Sequence, residues 1–261
     1  MVFNIQKGGV KMRLKNKIAI ITGAGSGIGR EVAYEVANEG AKVVLVNRTK
    51  SKAEKTLENI KSRNGEGIVV GADVSKMDEM QKAIDKTIEE YGKIDILCNI
   101  AGIFDGQVDI LETDEDSWNK ILNVDLKGTY IGSKLAIEKM KENDGGVIIN
   151  ISSIAGIRGS TASPAYTSAK HGVIGLTGDI AFKHGKDNIR AVAICPGMVE
   201  TSMTDDMLDD PSEMTQSMID NIPLGRVAKA EDIAKLLVFL ASEDASYITG
   251  THVVIDGGMT I

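Results

Sequence analysis

The stretch Thr22-Gly23-Ala24-Gly25-Ser26-Gly27-Ile28-Gly29 follows the apolar run Ile18 to Ile21 and precedes an amphipathic segment. Glycines at such a junction let the backbone turn sharply out of a strand and approach a ligand. A pyrophosphate there would sit on the N-terminus of a helix beginning near Ile28. Glycine-rich turns also arise for packing alone, so the rest of the chain has to decide between the two readings. Strand-like apolar runs recur at Val43 to Val46, Gly67 to Val70, Ile94 to Cys98, Val147 to Ile151, Ile189 to Ile194 and His252 to Ile255, with amphipathic stretches between them. Continuous apolar strands that alternate with helices form a parallel sheet covered on both faces. The expected fold is therefore α/β and doubly wound, with a mainly parallel seven-stranded sheet.

A chain of 261 residues with 43% hydrophobic content can bury one large core, so a single domain is expected. Residues 1–13 show no period and precede the first strand, and are read as an extension to a domain spanning 14–261. Gly8-Gly9 can be encoded by GGAGG, a bacterial ribosome-binding sequence, which makes Met12 the expected start of translation. A net charge of −7 without a long basic run argues against nucleic acid or an anionic membrane as partner. No apolar stretch approaches the roughly 18 residues of a membrane span, and the N-terminus lacks the apolar core of a signal peptide. The expected location is the cytoplasm. His171, His184 and His252 stand apart without ligand spacing, so no metal site is expected.

A second stretch carries the chemistry. Asn150 to Lys170 contains Ser153 and, thirteen residues on, Tyr166-Thr167-Ser168-Ala169-Lys170. A tyrosine and a lysine four residues apart share one helix face, so the ammonium can approach the phenol. A free phenol has a pKa of about 10, and a nearby cation favours its ionised form, which suits proton exchange with an alcohol or ketone. Ser153 follows a strand and would stand at its carboxyl end, where open α/β sheets bind ligands. Taken alone, Tyr-x-x-x-Lys is more often a helix edge with a snorkelling lysine.

Together these segments resemble the short-chain dehydrogenase/reductase family from about Leu14 to Gly258. Thr-Gly-x-x-x-Gly-x-Gly, Asn99-Ile100-Ala101-Gly102, Ser153 before Tyr166 and Lys170, and Pro196-Gly197 with Thr201 occur in the family's order. The resemblance implies a Rossmann domain that binds NAD(H) or NADP(H) and interconverts an alcohol and a ketone. It implies catalysis by Ser153, Tyr166 and Lys170, and cofactor contacts from Gly23, Ser26, Gly27, Ile28, Gly29, Asp73, Val74, Asn99, Ala101, Gly102, Pro196, Gly197, Val199 and Thr201. Asp73 would accept from the adenine amino group, Asn99 would stabilise the central sheet, and Val199 and Thr201 would hold the nicotinamide amide. Val192 stands where an asparagine with a structural role is usual. The implied sheet order places a strand between Cys98 and Cys195, and two strand spacings, roughly 9 to 10 Å, are too far for a disulfide. The last helix and strand, Ala230 to Ala241 and His252 to Gly258, imply a homotetramer.

At the end of the second strand, Asn47 is neutral and Arg48 offers a fork of donors suited to phosphate. This favours NADP(H) over NAD(H), although Ser26 stands where many NADP-dependent members carry a second basic residue. One departure is serious. In a helix read from Glu115 to Glu142, the family's catalytic asparagine aligns with Asp125, and Asn123 lies roughly 200° away around a helix. A carboxylate at Asp125 adds negative charge near Lys170, so the proton relay is expected to persist with an altered pH dependence.

Residues 202–225 form a long connection with Met203, Met207, Met214 and Met218, read as a lid over an apolar or amphiphilic small-molecule alcohol or ketone. Two rivals remain at this stage. A 3-oxoacyl-acyl-carrier-protein reductase would need basic residues at the mouth of the site, where Asp144 and Asp187 align. A non-catalytic NADP-binding sensor or scaffold would have no need of the full Ser153, Tyr166 and Lys170 set.

Overall fold

The structure, a computed structural model, describes residues 12–159 and 162–261. Among these, seven strands form one parallel sheet. They are β1 (Ile18–Thr22), β2 (Lys42–Asn47), β3 (Gly67–Gly71), β4 (Ile96–Asn99), β5 (Gly146–Ile151), β6 (Ile189–Pro196) and β9 (His252–Ile255), in the order β3-β2-β1-β4-β5-β6-β9. Each strand expected from the apolar runs is present, with ends displaced by one or two residues. A short pair, β7 (Val199–Glu200) with β8 (Ala228–Lys229), has too few residues to leave a pattern in the sequence.

Alternate strand residues face opposite ways. On β1, Ala19 and Ile21 pack with α1 (Gly27–Asn38), α2 (Lys50–Ser62) and α9 (Ala230–Ala241). Ile20 faces the other layer, α3 (Met77–Tyr91), α5 (Gly128–Lys141) and α6 (Pro164–His184). Burial on both faces explains why the strands read as unbroken apolar runs. Val192 is fully buried in the first of these layers, and Cys98 and Cys195 are buried free thiols on β4 and β6 with β5 between them. Burial pushes both thiols up in pKa. No helix among the described residues is long and apolar enough to cross a membrane.

Two expectations need correction. The expected helix from Glu115 to Glu142 is interrupted: α4 (Glu115–Ile121) passes into a π-helical segment, Leu122–Lys127, before α5 begins at Gly128. Single-turn π segments gather at functional sites, and this one carries Asp125. Arg13, assigned to the extension, belongs to the folded body, since its backbone N–H and guanidinium bond the Glu39 carboxylate at 2.8 to 3.1 Å. The proposed start at Met12 concerns residues 1–11, which lie outside the described residues. Residues 202–225, expected as a long connection, contain α7 (Asp205–Asp209) and α8 (Glu213–Asp220).

Candidate active site

The sheet order reverses at β1, where the next strand in sequence on one side is β2 and on the other β4. The crevice at the carboxyl ends of these strands is where such sheets bind ligands. Here it is a cleft of about 610 Å3 that runs from β2 across β1 and β4 to β5 and β6.

Its β1 end is backbone. Gly23 has φ +70° and packs so tightly that an added Cβ would lie 2.9 Å from Ala101 Cα. A Cβ on Gly29 would collide with the Gly23 carbonyl, which fixes α1 against the turn. The Thr22 hydroxyl ties the two sides of the crevice, accepting from Ile100 and Ala101 N–H at 2.9 and 3.1 Å. Ser26, the N-cap of α1, makes no side-chain capping bond, and no acidic residue occupies the first turn. The first N–H groups of α1 thus face the cleft uncapped, which is the arrangement that receives a phosphate. Gly23, Ser26, Gly27, Ile28 and Gly29 all line the cleft, with Asp73, Val74, Ala101 and Gly102 opposite. Burial would raise the Asp73 carboxyl, but Ser75 N–H and Oγ at 2.9 and 2.7 Å, with Arg48 nearby, hold it below its usual range.

At the middle of the cleft β5 delivers Ser153 and α6 delivers Tyr166 and Lys170. Helix α6 starts where it does because Ser163 caps it and Pro164 occupies its first turn. Ser163 Oγ accepts the Tyr166 N–H at 3.1 Å and donates to Asp105 Oδ1 at 2.5 Å. The start of the helix is thereby anchored to the loop after β4. The Tyr166 ring meets Phe104 edge-on at 5.2 Å between centroids, and Lys170 Nζ lies 5.2 Å from the Tyr166 centroid. Lys170 is 4% exposed and donates to the Ile151 carbonyl at 3.2 Å.

Asp125, 1% exposed, belongs to this group, whereas Asn123 faces solvent. Its Oδ1 accepts the Ile103 N–H at 2.9 Å, and its Oδ2 lies 3.0 Å from Lys170 Nζ. That contact is out of line for a hydrogen bond, and no other described donor reaches Oδ2. Burial pushes the Asp125 carboxyl up, against the pull of Lys170 and the Ile103 N–H. Burial opposes the Lys170 charge, yet Asp125 and Tyr166 outweigh it and raise Lys170. The two directions conflict, one favouring a neutral acid and the other an ion pair. The geometry favours the ion pair, because a proton on Oδ2 would meet an ammonium and no acceptor. The Tyr166 phenol is raised by its enclosure; Lys170 and Ser153 pull it down, and Asp125 and Asp105 push it up. Part of Tyr166 stays open to the cleft, so solvent tempers this shift.

Beyond Tyr166 the walls are side chains: Phe104, Gln107 and Ile154, with Met203, Met207, Met218 and Met259. Pro196, Gly197, Val199 and Thr201 pass beneath them from the end of β6. Met214, counted with the lid methionines, is 57% exposed and lies outside the cleft.

Asn99 is the one expected cofactor contact that does not line the cleft. It is 5% exposed, and its amide donates to Asn150 Oδ1 at 2.9 Å and Ser133 Oγ at 3.1 Å, binding β4 to β5 and α5. Asp144 and Asp187 precede β5 and β6, at the opposite end of the sheet from this chain's cleft, and Asp187 pairs with Lys141 at 3.2 Å. They do not line the mouth, so the charge argument built on them lapses.

Several lining residues escaped the sequence reading, among them Phe104, Gln107, Lys52 and Met259. Lys52 reaches the cleft wall beside Asn47 and Gly25, and a helix starting just after Arg48 would have signalled it, one turn along on the same side. Met259 comes from the C-terminal segment, and nothing local marks it.

Comparison with known proteins identifies related sequences and structures. A family model of the short-chain dehydrogenase type, described as enoyl-(acyl carrier protein) reductase, matches residues 23–260. A 3-oxoacyl-acyl-carrier-protein reductase of Thermotoga maritima is 35% identical over 96% of this chain and 100% of its own. A meso-2,3-butanediol dehydrogenase of Serratia marcescens is 36% identical over 95% of this chain and 96% of its own. The crystal structure of levodione reductase superposes with a TM-score of 0.90 at 34% identity, covering 94% of this chain and 98% of that one. The chain belongs to the short-chain dehydrogenase/reductase family of oxidoreductases.

Proposed function

We propose that this oxidoreductase, which acts on CH–OH groups, interconverts a free, apolar or amphiphilic secondary alcohol and its ketone with NADP(H) preferred over NAD(H). The observation that carries the reading is the convergence of Ser153, Tyr166 and Lys170 midway along a cleft whose β1 end is a glycine cradle with an uncapped helix terminus.

The cradle fits a dinucleotide, because Gly23 and Gly29 let the turn pack closely against Ala101 and against itself, which leaves the uncapped N–H groups of α1 open to the cleft. Gly102 is equally constrained: a Cβ there would lie 2.9 Å from Asp125 Oδ2 and 3.5 Å from Lys170 Nζ. When bound, the nicotinamide supplies or accepts the hydride. Tyr166 holds or releases the proton at its Oη, Ser153 donates a hydrogen bond to the substrate oxygen as charge develops, and Lys170 orients the group beside it. Support for NADP comes from Arg48 and Lys52, two cations on the cleft wall without an acidic partner among the described ion pairs, and from the neutral Asn47. Support for an uncharged substrate comes from the walls beyond Tyr166, which carry methionines, Phe104 and Gln107 but no ionised side chain. The segment 202–225 acts as the lid, with Met203, Met207 and Met218 turned inward. The outer edge of β9, with Val254 38% exposed, supports assembly into the expected homotetramer, which light scattering in solution would test.

The carrier-bound thioester is the second reading, favoured by the name of the Thermotoga relative. The test is oxidation of NADPH and NADH against free ketones and acetoacetyl thioesters, with Tyr166→Phe as control. Turnover of free ketones, lowered about 10²- to 10⁴-fold in the variant, is expected. Turnover of the carrier-bound ketone alone would move the reading to the second. Tight NADPH binding with no turnover of any ketone would move it to a sensor.

A further inference from the structure

Lys170 does not stand near Tyr166 as a bare cation. The Asp125 carboxylate faces its ammonium at 3.0 Å in a pocket where both side chains are almost fully buried, so the pair carries no net charge toward the phenol. A second carboxylate, Asp105, approaches from the loop after β4 and is fixed there by the Ser163 hydroxyl at 2.5 Å. The groups facing Tyr166 and Lys170 from every neighbouring element are few. They are Asp125 from the π segment, Asp105 from the β4 loop, Ser153 from the end of β5, and the buried Cys195 thiol from β6. One cation therefore meets two carboxylates. An amide at position 125 would leave Lys170 unneutralised and free to stabilise a phenolate.

We propose that Asp125 makes this site a proton donor: by neutralising Lys170 it keeps the Tyr166 phenol protonated at neutral pH, which favours ketone reduction there and moves alcohol oxidation to alkaline pH. The inference rests on the oxidoreductase reading above and adds to it the direction the site is poised for. The balance of the step is simple. A ketone receives a hydride from the reduced nicotinamide and the proton from Tyr166 Oη, giving the alcohol, and the phenolate is reprotonated through Lys170 from solvent. Oxidation runs the same atoms backwards and needs the phenolate first. The equilibrium constant of the reaction is untouched, and what changes is the pH at which each direction is fast.

The test compares the full chain with its Asp125→Asn variant. Without the carboxylate, Lys170 acts fully on the phenol and lowers its pKa, so both kinetic profiles should move to lower pH by about one unit. The alkaline fall of ketone reduction then begins earlier, and alcohol oxidation at pH 7 gains about tenfold, following the phenolate fraction. An independent reading uses the free protein. The ultraviolet tyrosinate titration of Tyr166, isolated from the five tyrosines by subtracting Tyr166→Phe, should shift by the same amount. If the asparagine variant fails to fold, Asp125→Ser removes the same charge with a smaller side chain and carries the same expectation. Profiles and titration that stay in place, or move to higher pH, overturn the proposal. Turnover that survives Tyr166→Phe would instead sink Tyr166 as the acid of the proposed reaction, so the two failures are distinguishable.

Discussion

The half of the cleft beside β1, β2 and β3 is made mainly of backbone from a few short turns, each of which follows its strand directly. The half beyond Tyr166 is made of side chains drawn from distant segments, including Phe104, Ile154, Met218 and Met259. The first half is rigid for a physical reason. Gly23 and Gly29 lie against other backbone, and no side chain can be added without moving the strand-to-helix turn. The second half is adaptable, since methionine has several rotors and a polarisable sulfur that fills irregular space. On the proposed reading the first half would hold the cofactor and the second would meet the substrate.

The largest expected effect lies at the seam between them. Ser153→Ala should lower kcat/KM by about 10²- to 10³-fold for every substrate, because it removes a donor to developing charge. Cofactor affinity measured by fluorescence should hardly change, and a variant that lost the cofactor instead would erase the boundary between the halves.

A double change, Arg48→Ala with Lys52→Ala, probes the first half alone. Losing charge-assisted contacts should weaken NADP binding about tenfold to a hundredfold while leaving NAD binding close to its original value, as calorimetry on the free protein would show. Equal weakening of both would mean that the two cations are surface residues and not readers of a 2′-phosphate.

Asn99→Ala separates architecture from contact. It leaves the Asn150 carbonyl oxygen and Ser133 without a buried partner, at a cost of about 1 to 3 kcal/mol, readable as a fall of several degrees in Tm. Cofactor affinity should follow only through that loss of stability. A selective drop in affinity with Tm unchanged would restore Asn99 to the cofactor site.

The smallest effect is expected in the lid. Met218→Gln should raise KM about fivefold for an apolar ketone, from the loss of roughly 1 kcal/mol of apolar contact. Met214→Gln, on the outer side, should leave KM alone. Equal behaviour of the two would sink the assignment of Met218 to the substrate wall.

How much was legible follows from the same contrast. Thr22 to Gly29 and Ser153 to Lys170 could be read because their function depends on backbone shape or on helix spacing, and both are local. The departure at Asp125 was legible too, since alignment singled it out from Asn123. Its nearness to Lys170 followed from the resemblance, but the 3.0 Å contact, made from a π-helical segment where a continuous helix was expected from Glu115 to Glu142, did not. Asp144 and Asp187 were misjudged although each precedes an expected strand, which in a parallel sheet puts it at the end opposite the cleft.

From the sequence alone come the parallel sheet, its two buried faces, the glycine turn and the Ser153, Tyr166 and Lys170 set, since hydrophobic period and short-range spacing determine each of these. Tertiary structure decided the rest. It brought Lys52 to the wall beside Arg48, set Met203, Met207 and Met218 along the cleft, carried Met259 back from the C-terminus and paired Asp125 with Lys170. Each of these depends on where segments remote in the chain come to lie, and packing between layers sets that, with no local pattern to record it.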